Sequence, residues 1–151
     1  MDFAFEYLKT SALETEADYP YLGRDSTCKY DASKGKVSVK SYTDVAEGDQ
    51  DQLAAALQTQ PVSVAIEADK VPFQFYKGGI LDSTACGQNL DHGVAAVGYG
   101  TENGKAYFIV RNSWGASWGE KGYVRIAKND SVKGGVCGIA LSASYPTVVK
   151  A

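Results

Sequence analysis

The chain has 151 residues, 44% of them hydrophobic, which is the scale of one domain and excludes a disordered polymer. A formal net charge of −3 argues against a nucleic-acid partner, because phosphate binding calls for a basic face. No apolar run approaches the roughly 18 residues that a membrane helix requires, so no membrane partner is expected.

Met1 is followed by Asp2-Phe3-Ala4-Phe5-Glu6-Tyr7-Leu8, with neither the basic nor the apolar region of a signal peptide. Phe5, Leu8 and Ala12 recur at helical spacing, so residues 2–11 are expected to be helical, with no capping residue ahead of them. A chain that opens inside a helix reads as a fragment. Residues 16–36 carry turn formers without a period and read as irregular, and residues 37–45 partly alternate, as a strand would. Asp49 to Gln60 reads as a second helix, capped by Asp49, with Gln52 completing a box-like signature and Pro61 stopping it. In Val62-Ser63-Val64-Ala65-Ile66 the alternation predicts a strand with the valines and isoleucine on one face.

The remainder reads as strand after strand. Gly93 to Tyr99 is a continuous apolar run, expected to be buried on both faces. Asn103-Gly104 signals a hairpin turn between that run and Ala106-Tyr107-Phe108-Ile109-Val110. Gly122 to Ile126 alternates again, and Gly138 to Tyr145 reads as a final extended segment. Helix first and mostly antiparallel strand afterwards predicts an α+β fold with a β-barrel or twisted-sheet half.

Three cysteines leave at least one unpaired within the chain. Glycine follows both Cys86 and Cys137, which places them in turns and favours a bridge between them; three reduced, buried thiols are the alternative reading.

His92 is the only histidine, and a lone histidine is more often structural than catalytic. Its setting speaks for function: it stands at the start of an apolar strand, after the polar residues Asn89 and Asp91, where an imidazole could face a cleft as a general base. Asn112 ends the returning arm of the same hairpin. His92 and Asn112 lie twelve and eight residues from Gly104, so a bulged arm on the histidine side would make them neighbours. An amide oxygen there would accept the imidazole N–H and aim the other ring nitrogen at a nucleophile; the competing reading of Asn112 is a turn cap.

The surrounding residues resemble the papain and cathepsin L-like cysteine proteases. Leu90-Asp91-His92-Gly93-Val94-Ala95-Ala96-Val97-Gly98-Tyr99-Gly100 resembles that family's histidine motif, and Arg111-Asn112-Ser113-Trp114-Gly115-Ala116-Ser117-Trp118-Gly119 its asparagine motif. Pro61 to Ile66, Cys137-Gly138-Ile139-Ala140, Tyr145-Pro146-Thr147-Val148 and Met1 to Phe5 are similar as well, so the resemblance runs through essentially the whole chain.

The resemblance implies a papain-like α+β fold in which residues 1–43 are the remnant of the helical left domain. Residues 44–141 would form the right, β-barrel domain, and residues 142–151 a tail that crosses back. It implies a cysteine endopeptidase with His92 as base and acid, Asn112 as its orienter and Trp114 shielding their hydrogen bond. Trp118 can be plain core packing. Ala65, Leu90, Gly93 and Ser142 would line the pocket for the substrate residue two before the cut, and the Asp91 backbone would bind the substrate chain. No cofactor or metal is implied. Expected partners are a peptide or protein substrate, a propeptide or cystatin-like inhibitor, and the N-terminal half of the enzyme.

That half matters because the family's nucleophilic cysteine opens a helix within a Cys-Gly-Ser-Cys-Trp-like motif, and none of Cys28, Cys86 and Cys137 has such neighbours. The resemblance assigns Cys86 to Cys137 and leaves Cys28 for a partner upstream. Such bridges imply a lysosomal, vacuolar or secreted parent protein. The sequon Asn129-Asp130-Ser131 agrees with this. Two other readings share the sequence: a non-catalytic relative that binds peptides or partners, and a relative with serine at the nucleophile position.

Overall fold

In the computed structural model, which describes residues 1–151, the chain divides into two units, Met1–Thr43 with Pro146–Ala151 and Asp44–Tyr145. The smaller unit holds helix α1 (Asp2–Thr10) and most of strand β1 (Val37–Asp44). Helix α1 buries Phe5, whose ring lies 5.8 Å from that of Tyr42, and its N-terminus has no side-chain cap. Between α1 and β1 the chain is irregular but for an antiparallel bridge of Leu13 with Val37 and a 3₁₀ turn at Ala32–Lys34, begun where Asp31 accepts the Ser33 N–H.

The larger unit contains α2 (Gln50–Leu57), β2 (Val62–Ile66), α3 (Val71–Gln74), β3 (Ile80–Leu81), β4 (His92–Glu102), β5 (Lys105–Arg111) and β6 (Tyr123–Ala127). Strand β7 (Ala143–Lys150) starts in this unit and ends in the smaller one, where β1 lies beside it. The strands of the larger unit run in the order β7-β2-β4-β5-β6-β3, antiparallel except for the short parallel pairing of β3 with β6.

Helix α2 begins as its sequence dictates, with the Asp49 carboxylate accepting the Gln52 N–H at 2.8 Å. The expected box is not reciprocal, because the Gln52 side chain accepts the Ala46 N–H instead. The helix also ends earlier than Gln60: the amides of Thr59 and Gln60 both turn back to the Ala56 carbonyl, tightening the last turn ahead of Pro61. Leu53, Ala56 and Leu57 are buried from this helix, and Val62, Val64 and Ile66 are fully buried from β2 while Ser63 and Ala65 are not. Phe73, Phe108, Val110, Val124, Ile126, Val136 and Ile139 complete the core, each large side chain contributing about 1.5–3 kcal/mol by leaving water.

The β4–β5 hairpin closes at Asn103-Gly104, with Glu102 opposite Lys105 and both turn residues at positive φ (51° and 78°), the geometry a two-residue turn demands. Burial of Gly93 to Tyr99 on both faces is not observed. Only Ala96 is buried, because the register shifts between Ala96 and Gly98 and a β-bulge leaves Val97 outside the ladder and 37% exposed.

The expected extended segment from Gly138 is also corrected. Val136–Gly138 forms a 3₁₀ turn, the Leu141 amide returns to the Gly138 carbonyl, and strand begins only at Ala143. The chain turns here because Gly135, Cys137 and Gly138 all stand at positive φ (79°, 58° and 74°), and Cys137 is bonded to Cys86 with Cα atoms 4.9 Å apart. Cys28 is free and exposed.

Candidate active site

Strand pairing brings His92 and Asn112 together. His92 opens β4 opposite Ile66 at the end of β2. Asn112 follows β5, whose last residue Arg111 pairs with Ala95, and its own amide is held by the Gly122 carbonyl at 3.0 Å. The β4 bulge takes up one of the extra residues on the histidine arm, and His92 Nε2 lies 2.8 Å from Asn112 Oδ1.

The hydrogen bonds fix the ring's tautomer. The Ser113 amide donates to Asn112 Oδ1 at 2.8 Å, which orients the carboxamide, since an N–H can only meet the oxygen. That oxygen can only accept, so Nε2 of His92 must carry a proton and Nδ1 is the nitrogen left to exchange one. Asn112 is 8% exposed, and its Nδ2 has no partner. The pair is thus largely withdrawn from competing water, which strengthens its bond.

Aromatic rings form the wall. Trp114 stacks on the imidazole with centroids 5.2 Å apart and planes 29° from parallel. Trp118 meets Trp114 edge-on at 5.4 Å and donates its indole N–H to the Gln74 carbonyl. Behind them Phe73 is fully buried, 5.4 Å from Trp114, 4.9 Å from Trp118 and 6.5 Å from the imidazole. The sequence reading missed Phe73 because it missed α3, which has a single turn; Pro72 at the helix start is the signal that marks it.

Ala68, Asp69, Gln74, Asp91, His92 and Trp114 line an open cleft of about 250 Å³. Asp91 is anchored twice, its amide to the Ile66 carbonyl at 3.0 Å and its carboxylate to the Ala68 N–H at 2.7 Å. Ala65 pairs with Gly93 across β2 and β4, and its amide donates to the Ser142 carbonyl at 3.0 Å, so these three residues meet on neighbouring chain segments. Gly93 leaves open space where a side chain would stand. Leu90, 38% exposed, lies against Gly138. None of Ala65, Leu90, Gly93 and Ser142 is acidic. Asn129, at the head of the sequon, has its amide engaged at both ends, by Asp82 and by the Ser131 N–H.

Comparison with known proteins points one way. The family described as papain family cysteine protease matches residues 1–147. The probable cysteine protease RD21B of Arabidopsis thaliana is 53% identical over 148 residues, covering 97% of this chain and 32% of the relative. The oryzain beta chain of Oryza sativa subsp. japonica is 52% identical over 149 residues, with 97% and 32% covered. Among solved structures, the bromelain protease of Ananas comosus in complex with the E64 inhibitor superposes with a TM-score of 0.89 at 40% identity, over 95% of this chain and 67% of that one. Digestive procathepsin L 3 of Tenebrio molitor larval midgut gives a TM-score of 0.89 at 43% identity, over 97% and 48%. The chain spans about a third of the length of these curated relatives.

Proposed function

Because this chain belongs to the papain family of cysteine proteases, we propose that it is the histidine- and asparagine-bearing part of a cysteine endopeptidase. The contact between His92 Nε2 and Asn112 Oδ1 carries this reading. Nδ1 of His92 takes the proton of a cysteine thiol, and the thiolate attacks the peptide carbonyl. His92 then gives that proton to the departing amine, and water, deprotonated by the same nitrogen, releases the acyl group. Asn112 keeps the ring in the required tautomer throughout, and Trp114 covers their bond.

The nucleophile is not one of the cysteines here. Cys86 and Cys137 are bonded to each other, and Cys28 stands in an irregular stretch without a helix N-terminus to stabilise a thiolate. The 151-residue chain alone is therefore inactive, and the thiol comes from the additional length that its relatives possess. The buried disulfide supports an oxidising destination, secretory, vacuolar or lysosomal.

Ala65, Leu90, Gly93 and Ser142 form the pocket for the side chain two residues before the cut. The Asp91 amide is already donated to Ile66, so the substrate backbone meets the Asp91 carbonyl. A pocket without a carboxylate cannot repay the desolvation of a guanidinium. Peptides with Leu or Phe at that position are expected to be cleaved by the full-length protease with kcat/KM at least about tenfold above the Arg peptide. Preference for Arg in that competition, or absence of peptide cleavage altogether, contradicts the assignment.

A further inference from the structure

Glu67 is the one charged side chain in the buried interior of this chain, only 1% exposed. It follows directly on β2, and its surroundings are built around it. One carboxylate oxygen accepts the Asn89 N–H, three residues before His92. The other lies 2.9 Å from Nζ of Lys70, the residue that precedes α3 and hence Phe73. Gly87, at φ +76°, leaves the room: a Cβ there would stand 2.1 Å from the carboxylate. The Glu67 amide donates to the Cys137 carbonyl at 2.9 Å. The Asn89 and Lys70 contacts hold the carboxyl below its usual range, the Asn89 N–H being the larger cause.

The segment 86–92 is thus fixed by the disulfide at Cys86, by Glu67 at Asn89 and by Ile66 and Ala68 at Asp91. We propose that Glu67 is a positioning residue for His92, acting through its hydrogen bond to the Asn89 amide. Without that acceptor the Asn89 N–H loses its partner, the chain entering β4 shifts, and the imidazole moves off Asn112. The consequence for catalysis rests on the protease reading; the structural claim does not.

Two conservative variants separate this role from a mere ion pair. Glu67→Gln keeps an acceptor of the same reach and discards the charge. Glu67→Asp keeps the charge and withdraws the oxygens by about 1.5 Å, the length of one carbon–carbon bond. His92 is the sole histidine of these 151 residues, so in the full-length protein with its nucleophilic cysteine replaced by alanine its ring nitrogens are the NMR signals that vanish in His92→Ala. The wild type and Glu67→Gln are expected to show one tautomer, protonated on Nε2. Glu67→Asp is expected to show ring nitrogens averaged between tautomers, with the Asn89 amide exchanging at least about tenfold faster, a loss of roughly one hydrogen bond's protection. Any other pattern, including loss of the tautomer in Glu67→Gln, overturns the assignment. A wild-type ring without tautomer preference overturns it together with the role given to Asn112. A full-length protein that cleaves no peptide while the Gln and Asp variants still differ overturns only the protease reading.

Discussion

His92→Ala in the full-length protein is expected to lower kcat for peptide hydrolysis by about 10²–10⁴-fold while KM changes little, since in the proposed mechanism the ring moves protons and is not needed to hold the substrate. Asn112→Ala should cost less. It removes one hydrogen bond, between Nε2 and Oδ1, and leaves the imidazole stacked on Trp114 and in edge contact with Phe73. The loss of such a bond, about 1–3 kcal/mol, corresponds to a decrease of roughly five- to 150-fold. Steady-state kinetics on a peptide with Leu two residues before the cut measures both. Equal activity of His92→Ala and wild type contradicts the role given to the ring, and a larger loss in Asn112→Ala than in His92→Ala contradicts the order of the two residues.

The second large effect is on stability. Replacing Cys86 and Cys137 together by alanine opens a loop whose ends are 51 residues apart in sequence. In the chain-entropy account, closure of a loop of that length contributes about 4 kcal/mol by restricting the unfolded state. For a chain of this size that corresponds to a fall in Tm on the order of 10 °C. Thermal unfolding followed by circular dichroism, with and without reductant, tests it. A change below about 1 kcal/mol would mean that the unfolded chain already keeps these segments close without the bond, and that the bond adds little. The expected loss also reaches the site, because the Cys86 end of the bridge leads within six residues to His92.

Much of the fold was legible where the signal is local. The Asn103-Gly104 turn, the alternation of β2 and the Asp49 cap each depend on residues within one turn or one strand, and each stands where the pattern placed it. Elements of about one period were not legible: α3 has four residues and β3 two, too few for any repeat to register. Long-range constraint hid others. Cys137 is bonded to a residue 51 positions away and lies among residues at positive φ, so Gly138 to Leu141 do not extend as their sequence suggests. Val97 belongs to an apolar run but is expelled by the bulge that brings His92 one residue nearer to Asn112.

The candidate site shows the same division. His92, Asn112 and Trp114 stand in motifs whose residue types speak for themselves, and the resemblance named them together. The tautomer required Ser113, whose amide orients the carboxamide, and no spacing rule reveals that. Glu67 was passed over because an acidic residue after a strand reads as solvated. Its burial is created by Asn89, Cys137 and Lys70, two of which are distant in sequence.

The central claim is that this chain supplies a base and its orienter to a cysteine nucleophile that lies elsewhere in the protein. Treatment with an epoxide inactivator directed at active-site thiols, followed by peptide mass mapping, tests it most directly. The full-length protease is expected to be labelled at one cysteine outside these 151 residues, with labelling suppressed in His92→Ala, while the 151-residue chain stays unmodified. Labelling of Cys28 in the isolated chain at a comparable rate, or labelling of the full-length protein independent of His92, would contradict the account.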